Sequence, residues 1–405
     1  MIRRLLDAIL WGLVLLFGAR KAPRERRDPK RTWKQRGIEL AILLFFVALG
    51  GFLVAASGIV PIKASSGHWP ITKWFLEFGM ARAFSTYSLA IEAPPLDDPA
   101  LVVKGAAQYE IACAPCHGSP ELHHPRVTAA MTPEPPYLPP AIGKWTPEEL
   151  FAIVKHGVKL TGMPAWPTQK RSDEVWAMVA FLQRLPSLDV EAYHELAFGA
   201  TRPTGGAAPI EDLTGPENLA PALVIRRCAR CHGLDGRGRG MGVFPKLAGQ
   251  HERYLHNALV AFARGDRNSG IMEPIAAGLT GDEMRVLARY YASLPPAVGM
   301  HGEAVPSSET HSPSIARGRA IAHRGIPEQR VPSCVDCHGP TQPPYPTRAY
   351  PMLAGQYEDY LRLQLVLFKG GTRGGSPYAH LMNEVAPKLT DEQIRDVAAY
   401  FASLR

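Results

Sequence analysis

Three copies of one pentapeptide pattern take up every cysteine of this 405-residue chain: Cys113-Ala-Pro-Cys116-His117, Cys228-Ala-Arg-Cys231-His232 and Cys334-Val-Asp-Cys337-His338. Cys-x-x-Cys-His is the covalent attachment site of c-type haem. The two thiols add to the vinyl groups, and the histidine comes round one helical step later beneath the iron. A chain that carries the pattern three times must close three times around a flat apolar ring. A structural zinc site competes poorly, because it draws four ligands from pairs lying close together, and these pairs start 115 and 106 residues apart. A redox-active thiol pair gives no reason for a histidine after each copy. The nine residues are therefore expected to hold three haems, with His117, His232 and His338 as proximal iron ligands.

The length suits about three domains of ordinary size. A net charge of +8 suggests an acidic partner until it is located. Residues 1–37 hold 11 Lys/Arg against 3 Asp/Glu, a net of +8 that leaves the rest of the chain neutral. The basicity reads as a topology signal and gives no case for nucleic-acid binding. It is followed by Ala41–Ile62, 22 residues without a charge, where about 20 suffice to cross a bilayer. Lys/Arg excess belongs on the cytoplasmic side, so the cysteine motifs are expected on the far side, where bacteria attach c-type haem. Leu5–Phe17 is apolar but only 13 residues long. It reads as an interfacial helix on the cytoplasmic face, with a second span as the other option. Trp69, Trp74, Phe75, Phe78, Phe84 and Tyr87 then mark a segment that lies along the outer leaflet, packs on a membrane partner, or packs on the first haem domain.

An internal repeat organises the remainder. Cys228 to Arg267 matches Cys334 to Arg373 at a constant offset of 106, with Phe244-Pro-Lys-Leu-Ala-Gly-Gln against Tyr350-Pro-Met-Leu-Ala-Gly-Gln. After a four-residue insertion, Met272, Ala276, Leu279, Thr280 and Tyr290 meet Met382, Ala386, Leu389, Thr390 and Tyr400. The first module shares the plan without the wording: a helix into Cys113, a helix opened by Thr146-Pro-Glu-Glu as a capping box, the turn Gly162-Met163-Pro164, and a closing helix over Asp173–Leu185. No stretch alternates as a strand does, so the expected fold is all-α. The expected division is a basic segment 1–37, an anchor 38–62, an interfacial linker 63–100, and haem modules 101–200, 207–297 and 314–405. Linkers rich in Pro and Gly, Arg202–Gly206 and Pro295–Pro313, precede the second and third modules.

Each module resembles a class I c-type cytochrome domain, and modules two and three resemble the dihaem cytochromes of the c4 class. The resemblance covers roughly residues 101–405; the anchor and the first module fall outside the c4 pattern. It implies a methionine as the sixth ligand of each iron, a choice that raises the reduction potential. Met272 and Met382 occupy equivalent places, 40 and 44 residues after their histidines, and Met163 follows His117 by 46. Met131 is a rival for the first iron. The resemblance also implies that the carbonyls of Pro245 and Pro351, each 13 residues after its histidine, hold the other imidazole N–H. Pro135-Pro136-Tyr137-Leu138 offers the counterpart in module one.

Three irons with three methionines leave no open position, which favours an electron relay over an enzyme. The expected role is a membrane-tethered trihaem carrier on the periplasmic face, passing electrons from a quinol- or substrate-oxidising complex toward a terminal oxidase. A soluble redox protein is a further expected partner. One alternative is the cytochrome subunit of a membrane dehydrogenase. Another is a haem enzyme, a peroxidase or an oxidoreductase of sulfur or nitrogen compounds. That reading requires one open iron, and the first module is the place for it, since its loop Gly118–Pro140 carries His123, His124 and Met131. Five arginines within 14 residues, Arg226, Arg227, Arg230, Arg237 and Arg239, read as solvated surface, propionate partners or a docking rim.

Overall fold

The computed structural model describes residues 33–60, 62–199, 219–296, 312–339 and 347–404. The readings of Leu5–Phe17, of Arg202–Gly206 and of most of Pro295–Pro313 lie outside them. The described chain forms two units, one ending at Ser66 and one beginning at Gly67.

In the first unit, helix α1 (Trp33–Ala56) contains the stretch Gly37–Ala56, long and apolar enough by length and composition to cross a membrane. The sequence reading extended the anchor to Ile62, but the helix stops six residues earlier. Gly58 takes φ +68, a left-handed conformation that glycine adopts without a steric cost, and such a residue ends a helix. Ser57 Oγ donates back to the Val54 carbonyl at 2.6 Å, completing the last turn.

The second unit is all-α. Among the described residues no strand occurs, only a single bridge between Ile326 and Val331. Helix α2 (Pro70–Tyr87) leads into the first module, built from α3 (Pro99–Ala112), α4 (Pro147–His156), α5 (Ser172–Arg184) and α6 (Val190–Phe198). The predicted capping box is present: Thr146 Oγ1 accepts from the Glu149 N–H, and the Glu149 carboxylate accepts from the Thr146 N–H. Helix α3 crosses α5 closely because position 105 is glycine; a Cβ there would stand 2.2 Å from the Ala177 carbonyl oxygen. Around the crossing Tyr109, Phe181 and Tyr193 are fully buried in one cluster. Full burial of a side chain such as Phe181 stabilises by about 1.5–3 kcal/mol.

Module two consists of α7 (Leu219–Leu223), a π-helical turn (Val224–Cys228), α8 (Glu252–Ala263), α9 (Met272–Ala277) and α10 (Gly281–Ser293). Module three repeats the later part as α12 (Glu358–Lys369), α13 (Ala379–Val385) and α14 (Asp391–Ser403). Thr280 and Thr390 cap α10 and α14 with matching capping boxes. The duplicates differ before the cysteine motif. In modules one and two a helix runs directly into the motif. In module three α11 (Pro313–Arg324) stops early, Gly325 turns at φ +66, and residues 325–333 make an excursion held by the Ile326–Val331 bridge. The Cys334 N–H then donates to the Ala322 carbonyl at 2.8 Å, which returns the motif to the helix end.

Helices α11 and α14 are joined by a buried carboxylate. Asp396 accepts from Arg317 Nε and Nη2 at 2.6 and 2.8 Å and from Ser314 Oγ at 2.5 Å. Burial works to raise its pKa, but the hydrogen bonds from Arg317 and Ser314 and the guanidinium charge outweigh it, and the carboxyl is held below the usual aspartate range. A depressed native pKa contributes stability that is fully present above the unfolded value, about 3.9, and is lost as pH falls through the native one. Asp396→Asn should therefore lower the melting temperature at neutral pH and flatten the acid side of the stability curve. Circular dichroism melts across that range check this; an unchanged acid limb would remove the assignment.

Candidate functional site

Each motif histidine ends a one-turn helix, Ala114–His117, Ala229–His232 or Val335–His338, so its ring is set by the helix direction. Each ring is then fixed by one hydrogen bond. His117 Nδ1–H donates to the Pro136 carbonyl at 2.8 Å, His232 to Pro245 at 3.0 Å and His338 to Pro351 at 2.8 Å. Proline has no N–H to compete, and its carbonyl selects the tautomer that leaves Nε2 with a free lone pair. Burial lowers the pKa of all three imidazoles, against the pull of the carbonyl acceptors. At neutral pH they are uncharged, as a metal ligand must be.

The six cysteines form no disulfide. Burial raises the Cys113 thiol to about 12 and those of Cys228, Cys231 and Cys334 to about 11; it raises Cys337 as well. A redox-active pair carries a depressed thiol pKa, so these are not poised thiolates. Among the described residues no cluster of His, Cys, Asp and Glu has the makings of a zinc site.

In module three a cavity of about 410 Å³ brings the predicted residues together: Cys334, Cys337, His338, Pro351 and Met382 all line it. Its walls are otherwise mostly apolar, with Leu361, Leu365, Phe368 and Phe401 among them, and Arg373 and Tyr254 add polar groups to the lining. Two thiols, an imidazole, a thioether, apolar side chains and a guanidinium on one lining fit an iron porphyrin with its two carboxylates. In module one Met131 and Met163 come to neighbouring places, since a Cβ on Gly162 would stand 2.3 Å from Met131 Cε. Met272 opens α9, with its N–H donating to Ser269 Oγ at 3.0 Å. Of the two loop histidines, His123 stacks on Tyr137 at 4.3 Å. His124 is largely buried, with Nδ1 on Glu134 at 3.0 Å and Nε2 facing no partner among the described residues.

Modules two and three meet through a pseudo-twofold exchange that sequence reading missed. Gln250 accepts from the Met352 N–H at 2.8 Å and donates to the Met352 carbonyl at 3.0 Å. Its repeat equivalent Gln356 does the same to Lys246, at 3.0 Å both ways. Lys246 and Met352 directly follow the prolines that hold His232 and His338. Both glutamines close the repeated Leu-Ala-Gly-Gln wording, so the repeat itself was the available signal. Beside them Arg267 donates to Tyr360 and Gln364, and the charges of Arg267 and Arg373 surround Tyr254. Burial works to raise the Tyr254 phenol, but the two guanidinium groups bring it down to about 8. Of the five clustered arginines, Arg230 and Arg239 turn onto module one and the other three are exposed.

Comparison with known proteins follows the same division. Residues 100–182 match the family described as cytochrome C oxidase, cbb3-type, subunit III, and residues 220–295 and 315–405 match the cytochrome c family. The chain is 37% identical to cytochrome c-552 of Acidithiobacillus ferridurans over 190 residues, 46% of this chain and 76% of that protein. It is 35% identical to a thiosulfate dehydrogenase electron acceptor of Thiomonas intermedia over 197 residues, 49% of this chain and 84% of the other. It is 33% identical to cytochrome c4 of Pseudomonas aeruginosa over 177 residues, 44% of this chain and 83% of the other. Such domains carry covalently bound haem c.

Gln250 and Gln356 are both buried. Replacing either by alanine strips a backbone N–H and carbonyl of this partner, buried at Met352 and half-buried at Lys246, at a cost of about 1–3 kcal/mol. Urea titration of the haem-loaded protein should show each loss. A variant as stable as the parent would mean that the exchange holds nothing together.

Proposed function

Because the chain belongs to the multihaem c-type cytochromes and resembles their c4 class, we propose that it is a membrane-tethered trihaem electron carrier whose haem modules face the periplasm. One observation carries this reading: the same imidazole, held by the same kind of prolyl carbonyl, recurs at all three Cys-x-x-Cys-His motifs. Haem supplies a one-electron couple at iron, with no bond made or broken in a substrate. The chain's residues do the rest. The paired cysteines fix the ring covalently, His117, His232 and His338 offer Nε2 to the metal, and Met163, Met272 and Met382 offer thioethers that favour the reduced state. Modules 101–200, 207–297 and 314–405 are the three haem domains of this reading.

Two features support the tether. Helix α1 has the length and composition of a span, with a basic segment before it. In α2, Ile71, Trp74, Phe75 and Phe78 fall at the spacing of one helix face and are all exposed, a face suited to the lipid boundary, where tryptophan collects. The segment 63–100 thus reads as the interfacial linker between span and haem domains.

Electrons would run from a quinol- or substrate-oxidising complex toward a terminal oxidase, a direction supported by the match of the first module to an oxidase subunit family. A second reading has its own support: relatives named as thiosulfate dehydrogenase electron acceptors favour a periplasmic dehydrogenase of a sulfur compound as donor. In both, this chain carries electrons and the chemistry on substrate belongs to the partner.

A carbon monoxide difference spectrum of the fully reduced protein, with haem quantified on the same sample, tests the reading. Three haems per chain and negligible binding are expected; one haem in three taking up the gas would give the lead to an enzyme with an open iron. Met163→Ala should lower the potential of the first haem in a spectroscopic titration while Met131→Ala leaves it in place. The reverse pattern would transfer the ligand to Met131.

A further inference from the structure

The first module, which has no counterpart in the c4 pattern, lies against module two on both sides of its candidate haem ligands. On the cysteine side, Val103 and Ala107 of α3 are buried with Phe244, and Cys231, Met241 and Val243 pack on them. Arg239 forks its guanidinium onto the last carbonyls of α6, donating to Glu195 and Leu196 at 2.7 Å each. These carbonyls lie in the last turn of α6, where the helix dipole attracts a cation, and that of Glu195 also accepts the capping Gly199 N–H. Arg230 sits 4.7 Å over the ring of Phe198.

On the methionine side, the loop before Met272 is bound to the start of α5. The Glu174 carboxylate is 2% exposed. It accepts from Ser269 Oγ at 2.7 Å, from the Gly270 N–H at 2.6 Å and from Trp166 Nε1 at 3.3 Å. Arg171 reaches the Asn268 carbonyl at 3.0 Å. Position 270 admits only glycine, because a Cβ would stand 1.9 Å from Trp166 Nε1. His232 is buried, whereas His117 and His338 are partly exposed. The docking residues also distinguish the two duplicates. At the offset of 106, the counterparts of Arg230 and Arg239 in module three are Asp336 and Tyr345, so the duplicate carries neither cation.

We infer that the first module is the resident redox partner of the second: it covers the Cys231 edge and the Met272 loop of module two, so that external redox proteins engage modules one and three only. The inference rests on the haem-carrier reading for its electronic meaning. In the exchange a ferrous centre in one module gives one electron to a ferric centre in the next, and no proton or covalent bond changes. Module two then serves as an internal station.

The test uses the full-length, haem-loaded protein and its Arg230→Ala/Arg239→Ala variant, which leaves every candidate ligand in place. Hydrogen exchange should show residues 102–109 and 241–247 protected in the parent and exchanging at least tenfold faster in the variant. Residues 394–401 of module three should be unchanged in both. After sub-stoichiometric photoreduction, electrons should redistribute among the haems in a first-order process in the parent. In the variant that process should slow at least tenfold and acquire a dependence on protein concentration. Arg239→Lys, which keeps the charge but not the fork, should fall between them and serves if the double variant does not fold. Rapid exchange at 102–109 in the parent would overturn the docking. Faster exchange in the variant with unchanged redistribution would overturn the redox role. A haem count below three would defeat the carrier reading separately, since the exchange measurement reads docking without reference to it.

Discussion

A single N–H···O bond from an imidazole to a prolyl carbonyl, made three times, is the constraint on which the rest of the architecture depends. It fixes the tautomer, so Nε2 is the atom left to meet a metal, and it fixes the ring plane. The acceptor lies 13 residues downstream in modules two and three and 19 in module one. The intervening loop must therefore fold back over the cysteine motif whatever else its sequence does. The helices that follow are then placed by where that loop ends.

The contacts between modules grow from the same stretches of backbone. Lys246 and Met352, each one residue past an acceptor proline, are the residues gripped by Gln356 and Gln250. Ser269, three residues before the candidate ligand Met272, is gripped by Glu174. Both junctions are thus tied to ligand loops, and a shift in one module reaches the ligand set of its neighbour through a short run of backbone and a hydrogen bond. Buried polar exchanges of this sort tolerate little play, because each unpaired group costs its full desolvation.

Much of this was legible in the sequence, and the boundary of legibility has a physical cause. The motif residues, the all-α class, the Thr146 cap and the acceptor prolines follow from spacing or resemblance, and the structure places the prolines as read. The inter-module contacts were not legible, because their partners lie about a hundred residues apart and obey no local period. Glu174 looks like an ordinary acid in a first helical turn, and Trp166 like filler after a methionine. The two arginines that hold module one were indistinguishable in sequence from the three that are exposed. At α1 the failure was of another kind: an apolar run continues to Ile62, but hydropathy does not register that Gly58 turns the chain.

The exchange between Gln250 and Gln356 is isologous, with the same patch used by both partners. Such a contact is self-saturating. Once two modules have met through it, neither retains a copy of that patch for a third, so a chain cannot lengthen by stacking further duplicates in the same way. A further module could join only through unrelated surfaces, and the junction of modules one and two, with its Trp166, Glu174 and Arg239, is a heterologous contact of that kind. The asymmetry of the haem-bearing part is thus a consequence of the symmetry of its duplicated half. A pair that closes on itself has two ends, and the loss of Arg230 and Arg239 equivalents at one of them leaves only one able to receive the first module.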